Sequence, residues 1–171
     1  MKNLITIGLP SKGRLKDKAV TFFNDRGLKV LQSDKERNYF ASIENKSNIK
    51  IIYLHAKEII QRLGDGTLDI GISGLDLLNE SEKNLKDKII IKKKLDFGGA
   101  NLVVAVPDDW IDVQTIADLE EVAFDIRLRR NTRLRVATKY PNLTNSFLIS
   151  KGVTQYKLIS SLGATETYPF I

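Results

Sequence analysis

The chain opens on a short apolar run that gives way to a helical pattern within a few residues. Residues 4–9, LITIGL, are rich in β-branched side chains and are followed by Pro10, which is typical of a buried strand. The next apolar side chains recur at helical spacing, at Leu15, Ala19, Phe22 and Phe23. Arg26 and Gly27 then supply a basic last turn and a C-cap. The sequence therefore predicts a strand followed directly by a helix.

The same two patterns alternate along the rest of the chain. Further strands are predicted at residues 28–31, 37–43, 49–55, 68–74, 88–92 and 133–141, and from residue 155. A turn is predicted at 44–48, and helices are predicted to begin at Ala56 and Leu75 and to cover 115–123 and 143–152. Thr115 is the predicted N-cap of the third of these helices, with Asp118 in its first turn. Strands that alternate with helices are typical of an α/β fold.

The glycine pair of DFGG, residues 96–99, marks the predicted boundary between two lobes. The prediction is a first α/β lobe over residues 1–97, a second over residues 98–171, and a cleft between them. Open α/β sheets bind ligands outside the carboxyl ends of their strands. The glycine-containing corners that follow the predicted strands are therefore the candidate sites.

The first of these corners, between the opening strand and helix, carries two cations. Gly8, Pro10 and Gly13 allow the backbone to turn tightly and to approach a ligand. Lys12 and Arg14 add positive charge, and an arginine can bind a phosphate through two hydrogen bonds. The corner matches neither the P-loop spacing nor the dinucleotide-binding glycine fingerprint. Two interpretations stay open, a phosphate-holding corner and a basic surface turn.

Three further corners place polar side chains at predicted strand ends. Gly71 and Gly74 in DIGISGLDLL can admit a ligand against the backbone. Asp76 can accept a hydrogen bond from a hydroxyl or a metal-bound water, although helix capping explains it as well. The candidates in ATKYPNLT and GATE are Thr138, Lys139, Tyr140, Asn142 and Glu166.

The formal net charge of +6 favours an anionic partner. The densest basic runs, residues 91–95 and 127–135, contain no aromatic side chains that could stack on bases. Neither run matches a common nucleic-acid-binding motif, and both are predicted to be solvated loops or strand ends. Nucleic acid is therefore not the expected partner, and nucleic-acid binding stays an alternative that rests on charge alone.

Composition excludes several other kinds of site. The chain has no cysteine, so disulfides and thiolate metal sites are absent. No segment approaches the roughly 18 apolar residues of a membrane helix, and we expect a cytoplasmic protein with no membrane partner. His55, the only histidine, has no metal-ligand spacing or hydrolase motif near it and is expected to be structural or at the surface. Trp110 is expected to anchor packing, and no resident metal site is expected.

Taken in order, five segments resemble the family of ATP phosphoribosyltransferase catalytic subunits. They are GLPSKGRL, DIGISGLDLL, LVVAVP, RVATKYPNLT and SLGATE. The resemblance runs from about residue 4 to residue 166, and ATKYPNLT is its most specific motif. The lack of a long C-terminal region resembles the short form of the family, which works with a histidyl-tRNA-synthetase-like regulatory subunit.

The resemblance implies two α/β lobes similar to periplasmic binding proteins of type II, with substrates in the cleft. It implies transfer of phosphoribosyl from phosphoribosyl pyrophosphate to N1 of ATP, which gives phosphoribosyl-ATP and pyrophosphate in the first step of histidine biosynthesis. The implied partners are both substrates, the regulatory subunit and further copies of the chain. Mg²⁺ is expected to arrive with the substrate phosphates.

The resemblance also assigns roles to residues. Lys12 and Arg14 are implied to be catalytic, and Arg14 is suited to stabilise charge on the leaving group. The implied substrate-binding residues are Gly13, Arg37, Gly71, Gly74, Asp76, Thr138, Lys139, Tyr140 and Glu166. Adenine N1 is already a nucleophile, so catalysis is expected from orientation and electrostatics.

The sequence departs from the family pattern at two places. The Thr-Gly-x-Thr turn that follows an acidic residue in the family, and that binds phosphoribosyl pyrophosphate, is not found after GATE. We therefore expect residues 1–171 to be a fragment that is inactive alone and keeps some affinity for ATP. Many members carry an arginine and Asp-Ile-Pro in place of LHAKEII, so His55 and Glu58 inherit no role. A non-catalytic binding module for a small anion is the alternative function.

Overall fold

In the computed structural model, which describes residues 4–32, 39–161 and 163–170, the chain divides into two compact units. These are Met1–Ala100 and Asn101–Ile171, and each has its own hydrophobic core. The domain boundary predicted after residue 97 and the predicted cleft remain predictions. Within the described ranges, no helix is long and apolar enough to cross a membrane.

The first unit is built on a mixed sheet. Its described strands are β1 (Ile5–Pro10), β2 (Val30–Gln32), β3 (Phe40–Ile43), β4 (Lys46–Leu54) and β5 (Ile70–Gly71). They lie in the order β2-β3-β4-β1-β5. β1 pairs in parallel with β4 on one side and with β5 on the other, whereas β2, β3 and β4 pair antiparallel. The first strand of the chain is therefore an interior strand of the sheet.

Helices cover both faces of this sheet. They are α1 (Gly13–Asn24), α2 (Ala56–Gly64), α3 (Leu75–Glu80) and α4 (Lys83–Lys86). Ile7 and Leu9 of β1 share one core cluster with Ala19 and Phe23 of α1. Successive residues of a strand point to opposite faces, so Gly8 faces the other way, and there it meets Ile59 of α2. The two helices that follow β1 and β4 in the chain thus pack on opposite sides.

The second unit repeats the strand–helix alternation on a smaller scale. It contains α5 (Ile116–Arg130), β6 (Leu134–Thr138), α6 (Pro141–Ser150), β7 (Tyr156–Ser160) and a 3-10 helix (Thr165–Phe170). β6 and β7 pair in parallel. The buried side chains of its core are Leu119, Ala123, Leu134, Leu148 and Val153. The predicted α/β fold class is confirmed.

Several predicted boundaries are wrong. The apolar run at 88–92 forms no strand, and Ile90 is 73% exposed, because none of the described strands pairs with it. The strand predicted at 68–74 is reduced to Ile70–Gly71, which is the part that pairs with β1. β4 begins at Lys46, inside the predicted turn, because the reversal takes only two residues, Glu44 and Asn45, the second with φ of 60°. The extent of a strand therefore depends on the neighbouring strand with which it pairs.

The start of α5 agrees with its prediction. The Thr115 hydroxyl accepts from the Asp118 backbone N–H at 3.3 Å, and the Asp118 carboxylate accepts from the Thr115 backbone N–H at 2.6 Å. This reciprocal arrangement is a capping box. Helix α5 runs past the predicted end at residue 123 to Arg130, where Asn131 closes it in the left-handed region.

We expect Asp118→Asn to reduce stability at neutral pH but not in acid. Hydrogen bonds from the Thr115 hydroxyl, and then from the backbone N–H groups of Thr115 and Gln114, lower the pKa of Asp118 in the folded chain. A lowered folded-state pKa stabilises the fold above the unfolded value of about 3.9, and this contribution is lost as the pH falls through the folded value. The gap in urea midpoint between wild type and variant should therefore shrink below about pH 4. A gap that is constant from neutral pH to acid would contradict this, and Asp112→Asn, outside the capping box, is the control.

Candidate functional site

The corner after β1 is held in place by the neighbouring strand. Pro10 lies opposite Leu54 in the parallel register, and the Ser11 backbone N–H donates to the Leu54 carbonyl at 2.8 Å. Lys12 is then the N-cap residue of α1, with no side-chain cap hydrogen bond. Gly13 has φ of 72°, a conformation that favours glycine. The turn that the sequence predicted here is therefore formed by backbone contacts with β4.

The two cations of this corner are exposed and uncompensated. Among the described residues, neither the Lys12 ammonium nor the Arg14 guanidinium makes a hydrogen bond or an ion pair. Two other cations of the first unit are engaged. The Lys16 ammonium lies 4.7 Å from the centre of the Tyr53 ring, and Arg62 pairs with Glu58 at 2.8 Å. Within the described chain, the charges of Lys12 and Arg14 are therefore available to an anionic ligand.

A pocket of about 150 Å³ adjoins this corner. It is lined by Pro10, Ser11, Lys12, Leu15, His55 and Ala56. His55, expected to be structural or at the surface, is exposed and lies at the pocket. The sequence analysis gave no role to Ser11 or His55, because only the parallel register of β1 and β4 brings the ends of these two strands together.

A larger pocket of about 270 Å³ lies along the other side of α1. Its floor is aromatic, with the Arg26 guanidinium 3.7 Å from the centre of the Phe22 ring and the Phe22 and Phe97 rings 6.4 Å apart. It contains none of the predicted site residues and is not at a strand end. The smaller pocket is therefore the better candidate, because its position matches where α/β sheets bind ligands.

The corner after β5 lies beside the one after β1, since Gly8 pairs with Gly71. A side chain at Gly71 would place its Cβ 2.5 Å from Ile59 Cγ2 and 2.9 Å from Leu63 Cδ1. Close packing of α2 on the sheet thus explains this glycine, and its contact with substrate stays a prediction. Gly74 is the N-cap residue of α3, and the Asp76 carboxylate folds back over it.

Thr138 stabilises the turn between β6 and α6 through hydrogen bonds of its buried side chain. Its side chain is buried, and its Oγ1 lies 2.9 Å from the Thr144 Oγ1 and accepts from the Tyr140 backbone N–H at 3.0 Å. The Ser161 backbone N–H donates to the Thr138 carbonyl at 3.0 Å. The Thr138 hydroxyl is thus used within the chain, where it fixes the turn into α6.

The remaining candidates of this corner differ in position. Lys139 is exposed, Tyr140 is the half-buried N-cap residue of α6, and Asn142 lies in its first turn. Glu166 is exposed in the 3-10 helix that follows β7. The structure thus places the candidates of each unit at the carboxyl ends of parallel strands. Arg37 lies outside the described residues.

A resident metal site is not apparent in the part of the chain that the structure describes. No group of three or more His, Asp or Glu side chains is placed to hold an ion there. Mg²⁺ requires six oxygen ligands and commonly keeps several waters while it binds substrate phosphates.

Comparisons with known proteins identify the same family that the five sequence segments resemble. A family model described as HisG: ATP phosphoribosyltransferase matches residues 55–171. ATP phosphoribosyltransferases of Brucella melitensis and Brucella ovis are each 45% identical to the chain over 166 residues, which is 96% of this chain and 72% of each relative. The solved ATP phosphoribosyl transferase (HisG:HisZ) complex from Thermotoga maritima is similar in structure, with a TM-score of 0.63 and 25% identity over 97% of this chain and 68% of that chain.

We expect Gly71→Ala to destabilise the protein by about 1–3 kcal/mol, the usual cost of overpacking a core. The added methyl group would meet Ile59 and Leu63. Gly99→Ala is the matched control, because no atom lies within 4 Å of the new Cβ and its effect should stay within about 0.5 kcal/mol. Urea unfolding measures both, and equal midpoints would contradict the packing role.

We expect Thr138→Val to cost about 1–3 kcal/mol of stability, because the Tyr140 N–H and the Thr144 hydroxyl would lose their buried partner. Valine keeps the shape of threonine, so the loss reports on the hydroxyl. Thr138→Ser retains the hydroxyl and should cost less. Thermal unfolding of the three proteins tests this, and the opposite order would overturn it.

Proposed function

This chain belongs to the ATP phosphoribosyltransferase family, which catalyses the first step of histidine biosynthesis, and we propose that Lys12 and Arg14 hold the phosphate groups of its substrates. In the reaction, N1 of the ATP adenine bonds to C1 of the ribose of phosphoribosyl pyrophosphate. The bond from C1 to the pyrophosphate oxygen breaks, and its electron pair leaves with pyrophosphate. Negative charge therefore accumulates on the leaving group.

The observation that carries this proposal is the uncompensated charge after β1. Both side chains are exposed at the carboxyl end of an interior strand, beside a pocket lined in part by Ser11 and Lys12. Neither side chain forms an ion pair with a carboxylate in the described chain. A cation without an internal partner gains most from a phosphate, because charge-assisted hydrogen bonds are about twice as strong as neutral ones.

The catalytic contribution of this corner is electrostatic. Adenine N1 is a nucleophile without activation, so no serine, cysteine or general base has to be invoked. Arg14 offers a planar group with several N–H donors to the departing pyrophosphate, and Lys12 offers a mobile point charge. Once they are bound to the phosphate oxygens of the substrates, these donors stabilise the negative charge that develops in the transition state. Orientation of the two substrates supplies the rest of the rate enhancement.

The second unit is proposed to contribute contacts rather than chemistry. Lys139 is an exposed cation beside the turn into α6, and Glu166 is an exposed carboxylate that can accept from ribose hydroxyls. Tyr140 adds a further proposed contact in this unit, and the proposed contacts of the first unit are Gly13, Gly71, Gly74 and Asp76. The contacts with substrate predicted for Thr138 and Arg37 stay predictions. Mg²⁺ is proposed to enter as part of the substrate, bound to its phosphate oxygens.

A regulatory partner is proposed from the comparison. The Thermotoga maritima neighbour was solved as a HisG:HisZ complex. We propose that this chain likewise assembles with a histidyl-tRNA-synthetase-like regulatory subunit and with further copies of itself. Mixing the purified proteins and measuring the mass of the product by light scattering tests this, and separate peaks at all concentrations would contradict it.

We expect Arg14→Ala to weaken ATP binding by about 1.5–3 kcal/mol, which is roughly 10- to 150-fold, because a charge-assisted hydrogen bond to phosphate is lost. Isothermal titration of ATP into wild type and variant measures the change, and the stability of the variant should equal that of wild type.

Lys18→Ala is the matched control for this experiment, since it removes one exposed positive charge from the same helix away from the corner. It should leave ATP affinity unchanged. If both variants weaken ATP binding equally, the loss reflects the lower net positive charge of the protein and not a specific contact of Arg14. Tight ATP binding by Arg14→Ala would refute the role of Arg14, and a salt-dependent preference for an oligonucleotide over ATP would refute the function itself.

A further inference from the structure

Ser161 is a buried serine to which the proposed chemistry gives no role. It follows β7 directly and is 4% exposed. Its hydroxyl oxygen lies 3.0 Å from the Gly163 carbonyl oxygen and 2.8 Å from the Thr165 Oγ1. A serine hydroxyl has a single proton, so Ser161 donates to the carbonyl and accepts from the Thr165 hydroxyl. This one buried side chain therefore binds the residues on both sides of Ala164.

Ala164 has a backbone conformation that alanine rarely adopts. Its φ is 44°, in the left-handed region that favours glycine. Such a conformation persists only where the surrounding contacts fix it, and it is found most often at functional sites. On the side away from Ser161, the backbone N–H and the hydroxyl of Thr167 both donate to the Ala164 carbonyl, at 3.0 and 2.8 Å. The bend at residues 163–165 is thus held by hydrogen bonds from both directions.

This bend leads directly to Glu166, the exposed carboxylate that is proposed to accept from ribose hydroxyls. Glu166 follows Thr165, to which Ser161 is hydrogen-bonded, and both residues lie at the start of the 3-10 helix. The position of such a group matters, because a displacement of about 1 Å in the groups that hold a substrate can cost roughly 100-fold in rate. The geometry of the bend therefore decides where the Glu166 carboxylate is presented.

Ser161 also connects this bend to the corner after β6, but through its backbone. The Ser161 backbone N–H donates to the Thr138 carbonyl at 3.0 Å, directly after the last pair of the β6–β7 register, Thr138 with Ser160. Replacement of Ser161 by alanine keeps this backbone hydrogen bond and removes only the hydroxyl. The effect of that substitution is therefore expected at Glu166 and not at the corner that carries Lys139.

We propose that Ser161 is a positioning residue, whose buried hydroxyl fixes the bend at Ala164 and so holds Glu166 where it accepts from a ribose hydroxyl of a substrate. This inference rests on the proposed contact of Glu166, and it gives Ser161 no contact of its own with substrate. ATP and phosphoribosyl pyrophosphate both carry ribose hydroxyls, so the experiment includes each of them.

A double-mutant cycle of Ser161→Ala and Glu166→Ala tests the proposal. Isothermal titration in the presence of Mg²⁺ measures the affinity of each protein for ATP and, in a second arm, for phosphoribosyl pyrophosphate. For the ligand that Glu166→Ala weakens, we expect Ser161→Ala to lower the affinity roughly tenfold, the order of a hydrogen bond to a charged group. In the Glu166→Ala background the same substitution should change the affinity less than about twofold, because no carboxylate is left to position.

Ser160→Ala is the matched control, since Ser160 is exposed and its side chain makes no hydrogen bond within the described chain. It should bind both ligands like wild type. Thr165→Val removes the partner hydroxyl at a half-buried position, so it tests the same contact if Ser161→Ala does not fold, and it should lower the same affinity. Thr165→Ser keeps the hydroxyl and should recover most of the loss.

Three results would overturn the proposal. Equal losses from Ser161→Ala with and without the Glu166 carboxylate would show a general structural role. Normal affinity in a folded Ser161→Ala or Thr165→Val protein, when Glu166→Ala does weaken binding, would refute the positioning role and leave the contact of Glu166 intact. If Glu166→Ala weakens neither ligand, that contact is absent and the inference falls with it, whereas the role of Lys12 and Arg14 is decided separately by Arg14→Ala.

Discussion

The parallel pairing of β1 with β4 is the constraint on which the first unit depends. Its register sets Pro10 opposite Leu54, so both strands end at the same level and their following helices begin side by side. This is why Lys12 and His55, far apart in the sequence, line one pocket. Lys12 and Arg14 follow the same end of β1 and make no ion pair within the described chain. The set of side chains at this corner thus follows from the parallel register of β1 and β4.

Local signals in the sequence were sufficient for the elements that are stabilised locally. Thr115 and Asp118 predicted the start of α5 because a capping box is made by residues three positions apart. The run at 88–92 has the composition of a strand, but β-propensity reflects packing against a neighbour, and this run has none in the described sheets. The predicted extent of β5 was wrong for the same reason, since only Ile70 and Gly71 pair with β1. Pairing across the chain, rather than composition, decided these cases.

The candidate site was predictable to a similar extent. The cations at Lys12 and Arg14 and the polar corner at 138–140 were identifiable, because strand ends rich in glycine and polar residues are where α/β sheets bind ligands. Ser11 and His55 were not, since their position depends on the register of β1 and β4. The sequence also could not separate a ligand contact from a packing contact. Gly71 and Thr138 both lie at the predicted corners, yet the first makes room for Ile59 and the second ties Tyr140 to Thr144.

The strand order β2-β3-β4-β1-β5 has a consequence for how the chain acquires its fold. The strand synthesised first requires partners that are synthesised much later, since Ile5 pairs with Ile49 and Ile7 with Ile70. The antiparallel pair β3–β4 joins neighbouring segments, so it can form early at low loop-closure cost. Pairings between distant segments are slow because the chain between them must be ordered first. During synthesis, β1 therefore stays without partners until β4 has left the ribosome, and the corner that carries Lys12 and Arg14 is among the last parts of the first unit to acquire its shape.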